Sequence, residues 1–96
     1  MAEQVTLSFL QKYIKAKDHS PERINTYFLK LVEEVGELAE VLIKNKRMKG
    51  QNIKGTVNEE LYDVLYYVVA LANLYDVDLE ESFRLKEELN KVKYGR

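Results

Sequence analysis

The stretch from Leu61 to Tyr75 constrains this chain more than any other. Within it only Asp63 and Asn73 are clearly polar. As a helix, fifteen residues extend roughly 22 Å, short of the ~30 Å hydrocarbon core of a bilayer. An acid near one end and four tyrosines argue further against insertion. The stretch is expected to be a helix buried on most sides in protein. A chain of 96 residues cannot supply that cover alone. Three other helices would shield one side and leave apolar surface over, which marks an interface. The expectation is a homo-oligomer, dimer or tetramer, with this helix in the contact.

The remaining chain also reads as helix. Proline occurs once and glycine four times, and no hairpin-type turn pairs separate alternating runs. From about Gln4 to Lys17, Leu7, Leu10 and Ile14 share a stripe at helical spacing, with Phe9 and Tyr13 beside it. Ser20-Pro21-Glu22 predicts a helix start, because Ser caps, Pro suits the first helical position and Glu suits the positive end of the dipole. That second helix runs to about Lys46 on a stripe of Ile24, Phe28, Leu31, Val35, Leu38 and Leu42, with Tyr27 and Val41 beside it. A basic loop follows, holding Lys44, Lys46, Arg47, Lys49 and Lys54 and no acid. Thr56 through Glu59 fits a capping box opening the third helix, and Asp78-Leu79-Glu80-Glu81 opens a fourth that runs to about Lys91. The expected fold is all-α: one domain over 1–96, an antiparallel four-helix bundle-like protomer.

Composition removes several chemistries. There is no cysteine, so disulfides, thiolate metal sites and cysteine nucleophiles are excluded. The single histidine, His19, rules out HExxH sites and the paired Glu-x-x-His of di-iron bundles, and is expected to be an exposed loop residue. A net charge of -1 offers no global field for nucleic acid. No basic-then-apolar leader opens the sequence, so a cytoplasmic location with no membrane partner is expected.

The carboxylates are where chemistry can lie. The second helix carries Glu33, Glu34, Glu37 and Glu40 on its polar side. Glu34 and Glu37 are three residues apart and share a face, and the third helix repeats that spacing with Glu60 and Asp63. Four carboxylates meeting across two helices would repel unless a dication neutralised them, and an all-oxygen site suits Mg²⁺ or Mn²⁺. A run such as EEVGELAE also suits a plain solvated face. Asp63 tips the balance, since an acid in an apolar run needs a partner; a metal or a basic side chain would serve. Gly36, mid-helix, costs about 1 kcal/mol against Ala, which fits either a tight helix crossing or close approach of a ligand.

The run from Glu33 to Glu40, followed by Glu59 to Phe83, resembles the MazG-like all-α nucleoside triphosphate pyrophosphohydrolases, whose motif is EExxE, a variable spacer and ExxD. Glu33-Glu34-x-x-Glu37 and Glu60-x-x-Asp63 fit it, with 22 residues between. Lys86-x-x-x-Asn90 looks like the family's last helix, and the resemblance spans about 24–93. Two positions depart from it. Lys93 stands where the family often has Arg. Tyr67 stands where the sister phosphoribosyl-ATP pyrophosphatases usually carry His, which ranks that activity lower.

The resemblance implies Mg²⁺-dependent cleavage of a nucleoside triphosphate between its α and β phosphates, giving a monophosphate and pyrophosphate, in a nucleotide-pool or house-cleaning role. It assigns Glu34, Glu37, Glu60 and Asp63 as metal ligands, with Glu33 as a supporting carboxylate or the base for water. Lys86 and Asn90 become phosphate contacts, and Tyr67, one turn after Asp63, a hydroxyl for sugar or phosphate. The alternatives are a charged fourth-helix face for the former pair and a packed aromatic for Tyr67. A non-catalytic helical oligomer acting as an assembly or regulatory module is the competing reading of the whole chain.

Overall fold

The computed structural model describes residues 4–96 and contains four α-helices: α1 (Leu7–Lys17), α2 (Ile24–Ile43), α3 (Val57–Leu74) and α4 (Leu79–Tyr94). Met1–Glu3, part of the expected single domain, lie outside the described residues. No strand occurs among the described residues, and no helix there is long and apolar enough to cross a membrane.

Each boundary has a local cause. Thr6 caps α1 by accepting the Phe9 amide, so the helix opens at Leu7 rather than at Gln4. Pro21–Arg23 forms a single 3₁₀ turn that feeds directly into α2; Ser20 makes no side-chain cap there, and its amide donates to the Tyr27 hydroxyl instead. α2 stops at Ile43, three residues short of Lys46, where Asn45 turns the chain at φ 53. The basic segment then closes on itself through a Lys49–Asn52 bridge around Gly50. Thr56 caps α3 as expected, but Glu59 reaches back to the amide of Gly55 at 2.7 Å, one residue before the cap. Asp78 caps α4 through the amides of Glu80 and Glu81.

α2 and α3 pack most extensively, and α1 lies across α3. Ile14, Tyr27, Val69 and Ala70 form the core, with Leu10, Tyr66, Leu71, Leu74 and Leu79 against it. Two polar clamps fix this arrangement. At one end, Asn73, only 6% exposed, exchanges bonds with Gln11: its Nδ2 donates to the Gln11 carbonyl at 2.9 Å, and Gln11 Nε2 donates back to Asn73 Oδ1. Gln11 also donates to the carbonyl of Val77 and accepts the Leu79 amide, which ties the start of α4 to α1. At the other end, Asp18 accepts the hydroxyls of Tyr27 and Tyr66, one on each oxygen and both at 2.6 Å. These contacts set α1 antiparallel to α3. His19, beside the second clamp, is half-buried with Nδ1 enclosed, not the exposed loop residue that its position suggests.

α4 packs on α1 rather than on the α2–α3 pair, and none of its residues is buried. The chain is correspondingly open, with a radius of gyration of 15.6 Å against about 13 Å for a compact domain of this length. Much of the expected α2 stripe stays exposed as well: Phe28 is 56% exposed, and Val35 and Leu42 about half. Leu61, Leu65 and Val68 of α3 also face outward.

Gly36 meets neither expectation within the chain. A methyl group built on it touches nothing within 4 Å. Gly36→Ala should therefore stabilise the helix by about 0.5–1 kcal/mol, read as a higher melting temperature; a lower one would place another backbone against that face.

Candidate active site

The antiparallel packing of α2 on α3 brings five carboxylates together. Carboxylate oxygens of Glu33, Glu34 and Glu37 lie within 4.8 Å of one another, and so do those of Glu34, Glu60 and Asp63. Glu34 belongs to both groups and joins them. Glu60 is 7% exposed, Asp63 and Glu34 are half-buried, and Glu33 and Glu37 face solvent. The i, i+3 spacing aims each pair from its own helix at the other.

The electrostatics are adverse. Burial raises the Glu60 carboxyl to about 7, helped by its contact with Glu34 and the charges of Glu37 and Asp63. Burial likewise raises Glu34, though its contact with Glu60 pulls the other way. Asp63 is raised by burial and then by Glu59. Oε1 of Glu34 and Oε1 of Glu60 are buried without a hydrogen-bond partner. Buried acceptors are nearly always satisfied. A cluster of converging oxygens with two orphaned acceptors and no basic residue between them has the donor set of a hard divalent cation.

Basic groups gather at one end of the cluster. Lys30, one turn before Glu34, holds Glu33 through a 2.7 Å ion pair. Tyr67, one turn after Asp63, is half-buried, and burial raises its hydroxyl so that it stays protonated. Between them opens a recess of about 190 Å³ lined by Asp18, Arg23, Thr26, Tyr27, Lys30 and Tyr67. Of these six, sequence reasoning singled out only Tyr67 for the site. Lys30 had a readable signal, a cation one turn from a glutamate. Asp18 had none, because its tyrosine partners lie 9 and 48 residues away.

Lys86 and Asn90 are not brought to the carboxylates. They lie on α4, away from the α2–α3 pair; among the described residues Asn90 bonds only to Glu87 of its own helix, at 3.4 Å.

The sequence profile of the MazG nucleotide pyrophosphohydrolase domain matches residues 22–93, most of the chain. The chain belongs to the MazG family. Its fold is similar to the crystal structure of iMazG from Vibrio DAT 722, at 55% identity and a TM-score of 0.88, covering 96% of this chain and 100% of that one. A second crystal structure of that protein gives 54% identity and a TM-score of 0.86, over 91% and 99% of the two chains. Among curated proteins, dCTP pyrophosphatase 1 of Mus musculus is 38% identical over 82 residues, 79% of this chain and 46% of that protein. The Rattus norvegicus protein of the same name matches equally. The chain thus spans about half the length of the curated relatives it matches. The five carboxylates that the fold gathers all lie within the matched span.

The raised Glu60 carboxyl sets a pH dependence. Between its ordinary value of 4.5 and about 7, the metal-free native state holds a proton that the unfolded chain releases. Native stability therefore falls as pH rises through that window. Glu60→Gln keeps the neutral form. In EDTA its melting temperature should exceed that of the native chain at pH 8 by more than at pH 4.5. An equal difference at both pH values would mean that Glu60 ionises normally.

Proposed function

We propose that this chain hydrolyses nucleoside triphosphates between the α and β phosphates, releasing a monophosphate and pyrophosphate, with Mg²⁺ as cofactor and Mn²⁺ as a substitute. The observation that carries this reading is the pair of buried, unpartnered oxygens of Glu34 and Glu60 at the centre of five converging carboxylates. MazG membership supports the reaction class. The name of the rodent relatives, dCTP pyrophosphatase 1, makes dCTP a first candidate substrate. The role that follows is control or cleaning of a cytoplasmic nucleotide pool, with no nucleic-acid or membrane partner.

Glu34, Glu37, Glu60 and Asp63 would hold the divalent ions, which supply the positive charge that a triphosphate and an attacking water need among so many acids. Glu33, at the solvent side of the cluster with Lys30 on its oxygen, would take the proton from water or orient a ligand carboxylate. Lys30 offers a cation to phosphate oxygens at the edge of the site. The protonated Tyr67 can donate to sugar or phosphate from the wall of the recess.

We further propose that the chain works as a homo-oligomer, dimer or tetramer. Its accessible surface is 7492 Å², against roughly 5,700 Å² for a compact monomer of 11.3 kDa. The excess on one chain is about twice the roughly 800 Å² that a standard interface buries per partner and is on the scale of an obligate one; the exposed apolar residues of α2, α3 and α4 contribute to it. Assembly would let Lys86 and Asn90 serve the site of a neighbouring copy as phosphate contacts.

Pyrophosphate release from a panel of ribo- and deoxyribonucleoside triphosphates tests the chemistry. Activity should appear with Mg²⁺ and vanish with EDTA. Glu37→Gln and Glu60→Gln should each lose more than the roughly 10–100-fold typical of outer-shell changes, with helix content retained. Inactivity on every nucleotide in a folded protein would overturn the reading. Sedimentation tests the assembly: the native chain should run as a dimer or tetramer, and Leu65→Glu should shift it toward monomer. A native monomer at micromolar concentration would refute it.

A further inference from the structure

The recess beside the carboxylates is more than an extension of the metal site. It begins where the cluster ends, because Lys30 lies one turn before Glu34 and Tyr67 one turn after Asp63. Its volume of about 190 Å³ is several times the roughly 30 Å³ of a water molecule, enough for one heterocycle or one sugar ring. A triphosphate held at the carboxylates would direct its nucleoside either into this recess or away from it.

The polar groups inside discriminate by chemistry. The Tyr27 hydroxyl is fully used, donating to Asp18 and accepting from the Ser20 amide. Arg23 and Lys30 are donors only. The Thr26 and Tyr67 hydroxyls can donate as well as accept, which leaves Asp18 as the one charged, acceptor-only group of the wall. Its two oxygens offer about four lone-pair sites, and the two tyrosines take one each. The tyrosine bonds also hold its carboxyl below the usual range, so it stays ionised and acceptor-only. We propose that Asp18 reads the nucleoside end of the substrate, its free lone pairs accepting N–H or O–H donors presented inside the recess. The proposal rests on the pyrophosphohydrolase reading and extends it to specificity.

Two sources supply such donors. A cytosine edge presents the N4 amine where uracil presents the O4 acceptor, which an ionised carboxylate repels. A ribose presents a 2′-hydroxyl that deoxyribose lacks. The clamp role of Asp18 is real in either case, and selectivity is what separates a reading role from a purely structural one.

The test is kcat/KM for CTP, UTP, dCTP and dUTP with Mg²⁺, on the native chain, Asp18→Asn, Asp18→Glu and Tyr66→Phe. The native chain should prefer one member of a pair by at least 10-fold. Loss of a CTP-over-UTP preference in Asp18→Asn assigns the base amine; loss of a ribo-over-deoxy preference assigns the hydroxyl. Asp18→Glu, which keeps the charge, should retain the direction of the preference, and it decides the matter if Asp18→Asn does not fold. Tyr66→Phe removes one clamp bond outside the recess and should lower the melting temperature while keeping the direction of the preference. Equal hydrolysis of all four substrates by the native chain, or a uniform fall in Asp18→Asn with ratios intact, overturns the proposal while leaving the enzyme. Release of no pyrophosphate from any of the four overturns the proposal, and the enzyme reading falls with it only when the full nucleotide panel is also inert.

Discussion

Two helices that present acids to each other repel, and the fold is arranged around holding them close. Glu34 on α2 and Glu60 on α3 face across the contact with oxygens that no donor satisfies. The attraction that offsets this comes from elsewhere on the same helices. Tyr27 and Tyr66, above the acids on α2 and α3, converge on Asp18 through two short bonds to an ionised acceptor, the stronger class of hydrogen bond. Ile14 and Val69, both fully enclosed, pack alongside. At the far end, Gln11 and Asn73 lock α1 to α3 and to the start of α4. α1 contributes little to the candidate chemistry beyond the acid that follows it. It acts as a strap that keeps the two acid-bearing helices in register.

The same economy explains the exposed surface. One strap can cover one side of the α2–α3 pair. The other side carries Phe28, Val32, Val35, Leu61, Leu65 and Val68, all substantially exposed, and α4 leaves its apolar positions open, with Val92 83% exposed. Exposed apolar surface of this kind is what the proposed assembly would cover. Gly36 lies on the same helix with open space above it, so its lack of a side chain answers to no neighbour within the chain. The long apolar run of α3, expected to be buried on most sides, is enclosed on one face by α1 and α2 and bare on another.

What could be read from the sequence follows from the range of the interaction concerned. The four helices, the Thr56 and Asp78 caps, and the i, i+3 carboxylate pairs depend on residues within a turn or two of each other, so spacing alone located them. The apolar stripe carries α2 to about Lys46, whereas Asn45 in the left-handed region decides the break after Ile43. The back-reach of Glu59 was anticipated, but its acceptance of the Gly55 amide depends on the turn geometry before the cap. Contacts across the fold were the least legible. Nothing near Asp18 in sequence separates it from an ordinary loop acid, and its pairing with Tyr66 spans 48 residues. The stripe of α2 misled for a related reason: helical periodicity says which residues share a face, not whether the same chain supplies the cover. Lys86 and Asn90 show the limit most clearly, since a motif fixes residue types along the chain, while the direction in which α4 leaves α1 fixes which carboxylates they can reach.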